Sequence, residues 1–322
     1  MKSVTRSVTR KLTRQRGVAV VTALLLTTLA VTIVASLFWQ QQVQVRSMEN
    51  QRLHLQTRWI LRGALDWARL ILRQDGIDSP NWTRADGVWA TPLAETRLDD
   101  YVERERVEGE TYDATLQGQV VDAQSRYNLK RLAPGGTINA QEVAAFKRLL
   151  ELLQLDGGLA QSAAQLVQRA AQATLAQQQQ GGSNTPMALQ RLEDLLAAGF
   201  SQQAIDRLRD YVVVLPDDQA LVNVNTASAE VIAAIVDTMS LADAQALVAD
   251  RKRTTYTKNL PFTSSPQVQG KTVLAQVDVR SNYFLVLSQV RLDRARLESW
   301  ALIRRETQQK LFVTSIEWIR EI

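Results

Sequence analysis

The residue types that most often carry out catalysis or bind metals are scarce in this chain. It has 322 residues, no cysteine and one histidine, His54. This composition excludes disulfides, thiolate metal sites, a cysteine nucleophile and any metal motif that needs two histidines. A Ser-His-Asp triad could use only His54, and no recognisable nucleophile accompanies it. We therefore expect His54 to be a solvated residue of a helix.

Two further patterns have the residue types of a reactive site without the required spacing. Gly270-Lys271-Thr272 resembles the end of a phosphate-binding loop, but Ser265 replaces the first glycine and Pro266 lies within the loop. An acidic run of the kind found on solvated surfaces contains Asp99, Asp100, Glu103 and Glu105. Calcium prefers several carboxylate oxygens, and no loop has diagnostic spacing for it, so no metal ligand is assigned. The sequence indicates a protein that is not an enzyme.

The positive charge is concentrated at the N-terminus. The formal net charge is +5, and residues 1–17 contain six of the 38 lysines and arginines and no acidic residue. The rest of the chain, with 32 basic and 33 acidic residues, is nearly neutral. A general electrostatic attraction to nucleic acid is therefore not expected.

A long apolar segment follows the basic one. Of the 22 residues in 18–39, 17 are apolar and none is charged. As a helix the segment spans ~33 Å, which is about the thickness of a bilayer core. The preceding positive charges favour a cytoplasmic N-terminus. The alternative is a secretory signal cleaved after a small residue such as Ala35, but the apolar run of such signals is usually only about 7–15 residues long.

The helical pattern continues beyond the apolar segment. Between Gln40 and Arg73 there is no proline, and Gly63 is the one glycine. Apolar residues recur there at roughly helical spacing, with arginines between them. We expect one helix from about Val18 to about Gln74, amphipathic in its second half and broken at Asp75-Gly76.

Strand patterns flank a long helical region. Residues 110–121 predict one or two strands, and alternating apolar residues predict three more in 282–292, 297–303 and 310–318. Polar connections such as Asp293-Arg294 indicate antiparallel hairpins, so we expect a sheet of three or four strands against the first helix. Residues 140–253 are rich in Ala, Leu and Gln. They predict helices over 139–155, 158–177, 188–198, 201–210, 226–237 and 241–253, with a mobile loop at 177–184.

The junction between the basic and apolar segments resembles that of type IV prepilins and pseudopilins. It reads Arg14-Gln15-Arg16-Gly17 and then Val18-Ala19-Val20-Val21-Thr22. The resemblance implies that a prepilin peptidase cleaves after Gly17 and methylates the new amine of Val18. It also implies that the apolar helix is retained, first as a membrane anchor and then as part of a filament core.

Thr22 departs from this family pattern. It occupies the fifth position of the mature chain, where most such proteins have glutamate. A buried glutamate there is tolerated because it pairs with the N-terminal amine of a neighbouring subunit, and without that amine it costs several kcal/mol. The missing glutamate therefore fits a subunit at the filament tip. It also fits a membrane anchor that never joins a filament.

Three further patterns resemble one class of pseudopilins. They are Val121–Leu129, Val222–Ala227 and Ser281–Phe284. Together with the leader and the missing glutamate, they resemble the K-type minor pseudopilins of type II secretion systems (general secretion pathway protein K). We expect structural roles for five polar residues of the first two patterns, namely Asp122, Asn128, Asn223, Asn225 and Thr226. Asn225 or Thr226 is expected to cap the following helix, and Asn128 to cap or turn the chain after a strand.

The resemblance implies an α+β pseudopilin fold with a large all-α insertion domain. The predicted domains are the cleaved leader 1–17, the long helix 18–75 with 18–39 in the membrane, a sheet domain formed by 76–133 and 257–322, and the insertion 134–256. The implied function is a minor pseudopilin at the pseudopilus tip that initiates or caps filament assembly for export across the outer membrane. The body would be periplasmic on a single-pass inner-membrane anchor.

The resemblance also implies partners and bears on cofactors. The implied partners are the I- and J-type minor pseudopilins, other pseudopilins, the prepilin peptidase and the inner-membrane assembly platform, with no nucleic acid. No cofactor is predicted. The resemblance leaves calcium open, because some pseudopilins use it, and no ligands can be assigned here.

A membrane-anchored DNA-binding protein is the alternative function. Asn223–Ala227 followed by two helices resembles the start of a helix-hairpin-helix motif. Such motifs hold phosphates through backbone N–H groups of a hairpin that contains glycine. The hairpin here, Val236–Ser240, has no glycine, although Arg251-Lys252-Arg253 follows it. The near-neutral body also disfavours this function.

Overall fold

The structure is a computed structural model that describes residues 16–98, 114–180, 189–309 and 311–322. The chain divides into two compact units between Gln56 and Thr57. Helix α1, Arg16–Asp78, contains residues of both units, and the predicted long N-terminal helix is confirmed.

The predicted break at Asp75-Gly76 is wrong. Helix α1 continues to Asp78, and Gly76 lies inside it. A Cβ atom at this position would lie 2.7 Å from Cδ1 of Phe312, so glycine lets the aromatic ring pack against the helix backbone. The Asp75 carboxylate, expected to be part of a turn, instead accepts a hydrogen bond from Nη1 of Arg305 at 2.6 Å.

An antiparallel sheet of five strands forms the first layer of the second unit. Its spatial order is β1-β2-β7-β8-β9. These strands are β1 (Leu93–Arg97), β2 (Ala114–Asp122), β7 (Tyr283–Leu292), β8 (Ala295–Gln308) and β9 (Leu311–Glu321). The α+β pseudopilin fold class is confirmed, whereas the expected number of three or four strands is too low. The sequence Leu-Ala-Glu-Thr-Arg of β1 is too short and polar to show alternation.

A two-residue turn at Asp293-Arg294 joins β7 to β8, as predicted. Leu292 is paired with Ala295 across this hairpin. Asp293 has a φ of 50°, which is in the left-handed region that aspartate tolerates better than most residues. The register places Val286 opposite Ala301 and Val290 opposite Leu297, so that these apolar side chains lie on the same face of the sheet.

The second half of α1 packs on that face. Leu61, Leu65, Ala68 and Leu72 recur every three or four residues, and each is buried. They contact a sheet surface made of Leu116, Phe284, Val286, Val290, Leu297, Ala301 and Ile303. Trp89, in a 3-10 turn at Val88–Ala90, packs edge-on against the ring of Phe284 with centroids 5.2 Å apart.

A second buried cluster is built mainly from helices between β2 and β7. They are α2 (Ala140–Leu152), α3 (Leu159–Gln180), α4 (Gln202–Leu208), α5 (Ala229–Ile235), α6 (Leu241–Arg251) and α7 (Asn259–Thr263). The segment predicted as a helix over 188–198 is instead a 3-10 helix, Leu192–Ala198. Residues 177–180 are helical rather than part of a loop, and 181–184 lie outside the described residues.

Two short parallel strand pairs join segments that are distant in sequence. They pair β3 (Tyr127–Asn128) with β4 (Val212–Val213), and β5 (Val222–Asn223) with β6 (Val277–Asp278). Both β3 and β5 contain residues of the family patterns. The predicted boundaries between a sheet domain and a helical insertion domain stay a prediction.

The packing of α1 on the sheet leads to a stability prediction. Leu72 is fully buried, and Leu70 on the same helix is 62% exposed. We expect Leu72→Ala to lower the free energy of unfolding by about 2–5 kcal/mol, because it removes buried methyl groups and leaves a cavity.

The control is Leu70→Ala, which makes the same chemical change outside the core and should shift the free energy of unfolding by less than about 0.5 kcal/mol. Urea unfolding of the full chain in a neutral detergent, followed by tryptophan fluorescence, measures both variants. Equal effects of the two substitutions would contradict the packing described.

Candidate functional site

Two of the patterns considered for catalysis, His54 and Gly270-Lys271-Thr272, lie among the residues that the structure describes. His54 is exposed on α1. Nζ of Lys271 is 3.2 Å from Oδ2 of Asp243, so the lysine of the loop-like Gly270-Lys271-Thr272 pattern is used in an ion pair. The acidic run at Asp99, Asp100, Glu103 and Glu105 lies outside the described residues.

The helix-hairpin-helix resemblance corresponds to α5, the connection Val236–Ser240 and α6. Thr238 has a φ of 57° where glycine is common in such hairpins. Nη1 of Arg251 donates a hydrogen bond to the Val224 carbonyl at 2.7 Å, and burial lowers the pKa of this arginine to about 10. Arg251, one of the three adjacent basic residues, therefore forms a structural hydrogen bond to the segment at the start of this motif.

The described residues, 16–98, 114–180, 189–309 and 311–322, contain no group of three or more acidic or histidine side chains that could hold a metal ion. The calcium expectation from the family resemblance stays a prediction without ligands.

The family patterns do converge, in a buried polar cluster that we call the polar junction. It consists of Asp122, Asn223, Thr226, Ser281 and Thr83. Oδ2 of Asp122 accepts hydrogen bonds from Ser281 Oγ at 2.5 Å, Thr226 Oγ1 at 2.6 Å and Asn223 Nδ2 at 3.1 Å. The polar junction therefore joins the end of β2 to β5 and to the segment before β7.

Asp122 is positioned by local backbone structure. It is the last residue of β2 and the cap of the 3-10 turn Ala123–Ser125, where its Oδ1 accepts from the Gln124 N–H at 2.8 Å. Burial raises the pKa of the carboxyl group, and the four hydrogen bonds that it accepts oppose this shift. All four donors satisfy a group that would otherwise be costly to bury.

Arg305 extends the polar junction to helix α1. Its side chain is buried, and Nη2 donates to Thr83 Oγ1 at 2.9 Å and to the Ser281 carbonyl at 3.1 Å. Nη1 donates to the Leu72 carbonyl at 3.0 Å and to Asp75. Burial lowers the pKa of Arg305, and the hydrogen bond to Asp75 opposes that effect. One arginine thus connects the end of the helix with the sheet.

Asn128 and Asn225 each connect two segments that are distant in the sequence through hydrogen bonds to the backbone. Nδ2 of Asn128 donates to the Asp217 carbonyl at 2.9 Å, and its Oδ1 accepts from the Lys130 and Leu215 N–H groups. Asn225 forms two hydrogen bonds with the backbone of Tyr256. Its Nδ2 donates to the Tyr256 carbonyl at 2.8 Å, and its Oδ1 accepts from the Tyr256 N–H at 3.0 Å. Both side chains are buried, so they replace backbone partners where the strands end.

The expectation that Asn225 or Thr226 caps the next helix is wrong. Ser228 is the N-cap of α5, and its Oγ accepts from the Val231 N–H at 3.3 Å. Asn225 and Thr226 are used in tertiary contacts instead. Asn128 does cap a turn, the 3-10 helix Leu129–Leu132, as expected.

Sequence reasoning missed three members of this site or its surroundings. Thr83 and Arg305 lie outside the three patterns, and Gln124 lies within one but was given no role. Gln124 donates Nε2 to the Leu221 carbonyl at 2.8 Å and accepts from the Asn282 N–H at 2.6 Å. No local signal marks Thr83 or Arg305, because their partners are far away in the sequence.

A second buried polar group lies in the helical region. Glu142 Oε1 accepts from Arg131 Nε at 3.0 Å, and Glu142 Oε2 accepts from the Tyr127 hydroxyl at 3.0 Å. Burial raises the pKa of Glu142, which Arg131 opposes, and burial also raises the pKa of Tyr127. The three side chains satisfy one another, as expected of a structural contact between β3 and α2.

The apolar half of α1 has a different character. Leu24, Leu26 and Phe38 are each more than 60% exposed, and the apolar stretch has no buried residue. Among the described residues, α1 is the one helix that is long and apolar enough to cross a membrane. Gly17 and Val18 lie in its first turn, and Oγ1 of Thr22 donates to the Val18 and Ala19 carbonyls at 3.0 Å.

Comparison with known proteins agrees with these features. Residues 125–217 and 222–286 match two family profiles, both described as type II secretion system (T2SS), protein K. A protein named type II secretion system protein K from Pseudomonas aeruginosa is 28% identical over 93% of this chain and 91% of its own length. The chain belongs to the type II secretion system protein K family.

Other members of the protein K family show similar coverage. The relative from Klebsiella pneumoniae is 26% identical over 91% of this chain and 93% of its own length. The relative from Aeromonas hydrophila is 27% identical over 89% of this chain and 92% of its own length. The family matches include Asn128, Asn223, Asn225, Thr226 and Ser281.

A solved structure has the same fold. It is a chain of the GspK-GspI-GspJ complex from the enterotoxigenic Escherichia coli type 2 secretion system, with a TM-score of 0.64 and 16% sequence identity. The similarity covers 85% of this chain and 99% of the other. These comparisons identify a minor pseudopilin of type II secretion with a long apolar N-terminal helix.

The geometry of the polar junction predicts the effect of removing its charge. In Asp122→Asn, the new NH₂ group must face either the Gln124 N–H or the Asn223 amide. The first is a backbone donor, and the second cannot turn over without losing the hydrogen bond that its Oδ1 accepts from the Asn225 N–H. We expect the free energy of unfolding to fall by about 1–3 kcal/mol.

Asp156→Asn is the matched control, because exposed Asp156 also accepts a backbone N–H two residues later, from Gly158 at 2.8 Å. Its amide oxygen can keep that bond, so the change should be under about 0.5 kcal/mol. Urea unfolding of both variants tests this. A stable Asp122→Asn protein would show that the four hydrogen bonds contribute little.

Proposed function

We propose that this protein is the minor pseudopilin at the tip of the type II secretion pseudopilus, where it initiates or caps the filament for protein export across the outer membrane. The observation that carries the proposal is Thr22. The hydroxyl of this residue bonds to carbonyls of its own helix, at Val18 and Ala19, so the position requires no charged partner from a neighbouring subunit.

An uncharged residue at position 22 suits a subunit at the tip of the filament. A subunit inside the filament has a neighbour whose N-terminal amine can pair with a buried glutamate. The last subunit has no neighbour beyond it, and a carboxylate there would be unpaired in an apolar environment. Thr22 avoids that cost.

The proposal includes maturation and membrane orientation. The prepilin peptidase cleaves after Gly17 and methylates the amine of Val18, which leaves the apolar helix as the first segment of the mature chain. The basic residues before Gly17 favour the cytoplasmic side, so the helix is a single-pass inner-membrane anchor and the body is periplasmic. The assembly platform of that membrane is then within reach of the helix.

The proposed direct partners are the I- and J-type minor pseudopilins. Support comes from the solved GspK-GspI-GspJ complex, in which a chain of the same fold is assembled with the other two proteins. Exposed residues of α1, such as Leu25 and Leu29, offer apolar surface for bundling with the helices of those partners. Other pseudopilins would follow below this group, and nucleic acid has no part in the proposal.

The test is to introduce the missing carboxylate. Thr22→Glu places a charged side chain in the apolar helix where the proposal provides no amine, at a cost of about 3 kcal/mol. We expect co-purification of the I- and J-type pseudopilins from detergent-solubilised membranes to fall at least about tenfold, and export of a type II substrate to fall with it.

Thr22→Val is the matched control, because it has nearly the same shape and adds no charge. It should retain both partners and export. If Thr22→Glu also retained partners and export at the unaltered level, position 22 would have an amine within reach, and the tip position would be contradicted.

A further inference from the structure

A groove lies between the sheet, the helical region and the part of α1 that contains Arg58, Leu61 and Arg62. Its floor is apolar and includes Val213, Leu285, Trp300 and Trp318. The groove has a volume of about 1050 Å³, which is at the upper end of the range for ligand-binding clefts. Part of its wall is β9, the edge strand of the sheet.

Arginines dominate the charge around this groove, which we call the arginine groove. The arginines that line it are Arg58, Arg62, Arg126, Arg191, Arg209 and Arg320. The acidic residues that line it are Glu193, Asp210 and Glu321. Because the chain outside residues 1–17 is nearly neutral, this is a local excess of positive charge.

The acidic residues neutralise only part of the arginine groove. Arg58 pairs with Glu321, and Arg209 pairs with Glu193. The nearest carboxylate oxygen to Arg126 is 3.9 Å away, on Asp210, whose side chain is 86% exposed. That pair is therefore weak.

Three more arginines of the groove make no ion pair within the described part of the chain. The guanidinium of Arg320 stacks on the Trp318 ring at 3.9 Å and donates to the Gln190 carbonyl at 2.9 Å. Arg62 lies 5.2 Å from the centre of the Trp59 ring, and Arg191 is exposed. Burial and the nearby Arg191 lower the pKa of Arg320, and the carboxylates of Glu193 and Asp194 oppose this shift.

We propose that the arginine groove binds an extended acidic segment of a partner protein, with carboxylates on the arginines and an apolar side chain on the tryptophan floor. Guanidinium groups on aromatic rings are held in place and can pair with carboxylates in a bidentate manner. The edge of β9 offers unpaired backbone groups to an extended chain. Arg58 and Arg62 lie on α1, but none of these residues belongs to its apolar segment 18–39, on which the proposed function rests.

A protein segment fits this groove better than a nucleic acid does. The floor is formed by buried aliphatic residues and half-buried tryptophans, which suit apolar side chains. Three carboxylates lie among the arginines and would repel a continuous line of phosphates. A peptide can place its charges selectively, whereas a phosphate backbone cannot.

Fluorescence anisotropy of a labelled peptide tests the proposal on the full chain in a neutral detergent. The probe is Glu-Asp-Leu-Glu-Asp-Leu-Glu with a fluorescein label, and the control peptide has Gln and Asn in place of Glu and Asp. We expect saturable binding of the acidic peptide that weakens with salt, and at least about tenfold weaker binding of the control.

The protein variants locate the binding. The double variant Arg62→Gln, Arg191→Gln changes two exposed arginines of the groove and should weaken binding about tenfold. Arg207→Gln, Arg296→Gln removes the same charge from exposed arginines outside the groove, and binding should change by less than about twofold.

Three results would overturn the proposal. The first is no binding of the acidic peptide up to about 1 mM. The second is equal loss in the two double variants, which would indicate general charge attraction. The third is tighter binding of a labelled single-stranded DNA of the same charge through the same arginines, which would assign the groove to polyanions. Circular dichroism melting of each variant verifies that it is folded.

Discussion

The apolar side chains of residues 18–39 impose the constraint on which this protein depends. They lie on a helix that buries none of them, although burying a leucine or phenylalanine is worth about 1.5–3 kcal/mol. A surface of this size is stable only in lipid or against similar helices. Membrane insertion and packing against other apolar helices are therefore two ways to satisfy one requirement, and the Thr22 hydroxyl is satisfied in either case by a carbonyl of its own helix.

In the second unit of the chain, a sheet and a set of helices are built from segments that are far apart in the sequence and must be joined to one another. Its apolar clusters are separate, and the polar junction lies where β2, β5 and the segment before β7 meet. Asp122 and Arg305 are both buried there, and each has partners for its charged group. The cost of burying them is thereby offset, and hydrogen-bond geometry specifies which segments meet.

The sequence allowed much of this architecture to be predicted. The periodicity of α1 and the alternation in β7 and β8 are strong because each has one clearly buried face. Strand β1 was missed because it is short and polar, and Gly76 was misread because the close approach of Phe312 cannot be seen from local sequence. Family patterns identified Asp122 and Asn223 but not Thr83 or Arg305, since tertiary contacts of single residues leave no periodic signal.

Retention of the apolar helix in the mature protein underlies both anchoring and assembly, and the mass of the N-terminal peptide shows whether the helix is retained. Protein isolated from native membranes would be digested and its first peptide sequenced by mass spectrometry. We expect a chain that begins at Val18 with a methylated amine. A mature chain that begins beyond Ala35 would show that the helix is discarded as a secretory signal and serves neither as an anchor nor in a filament.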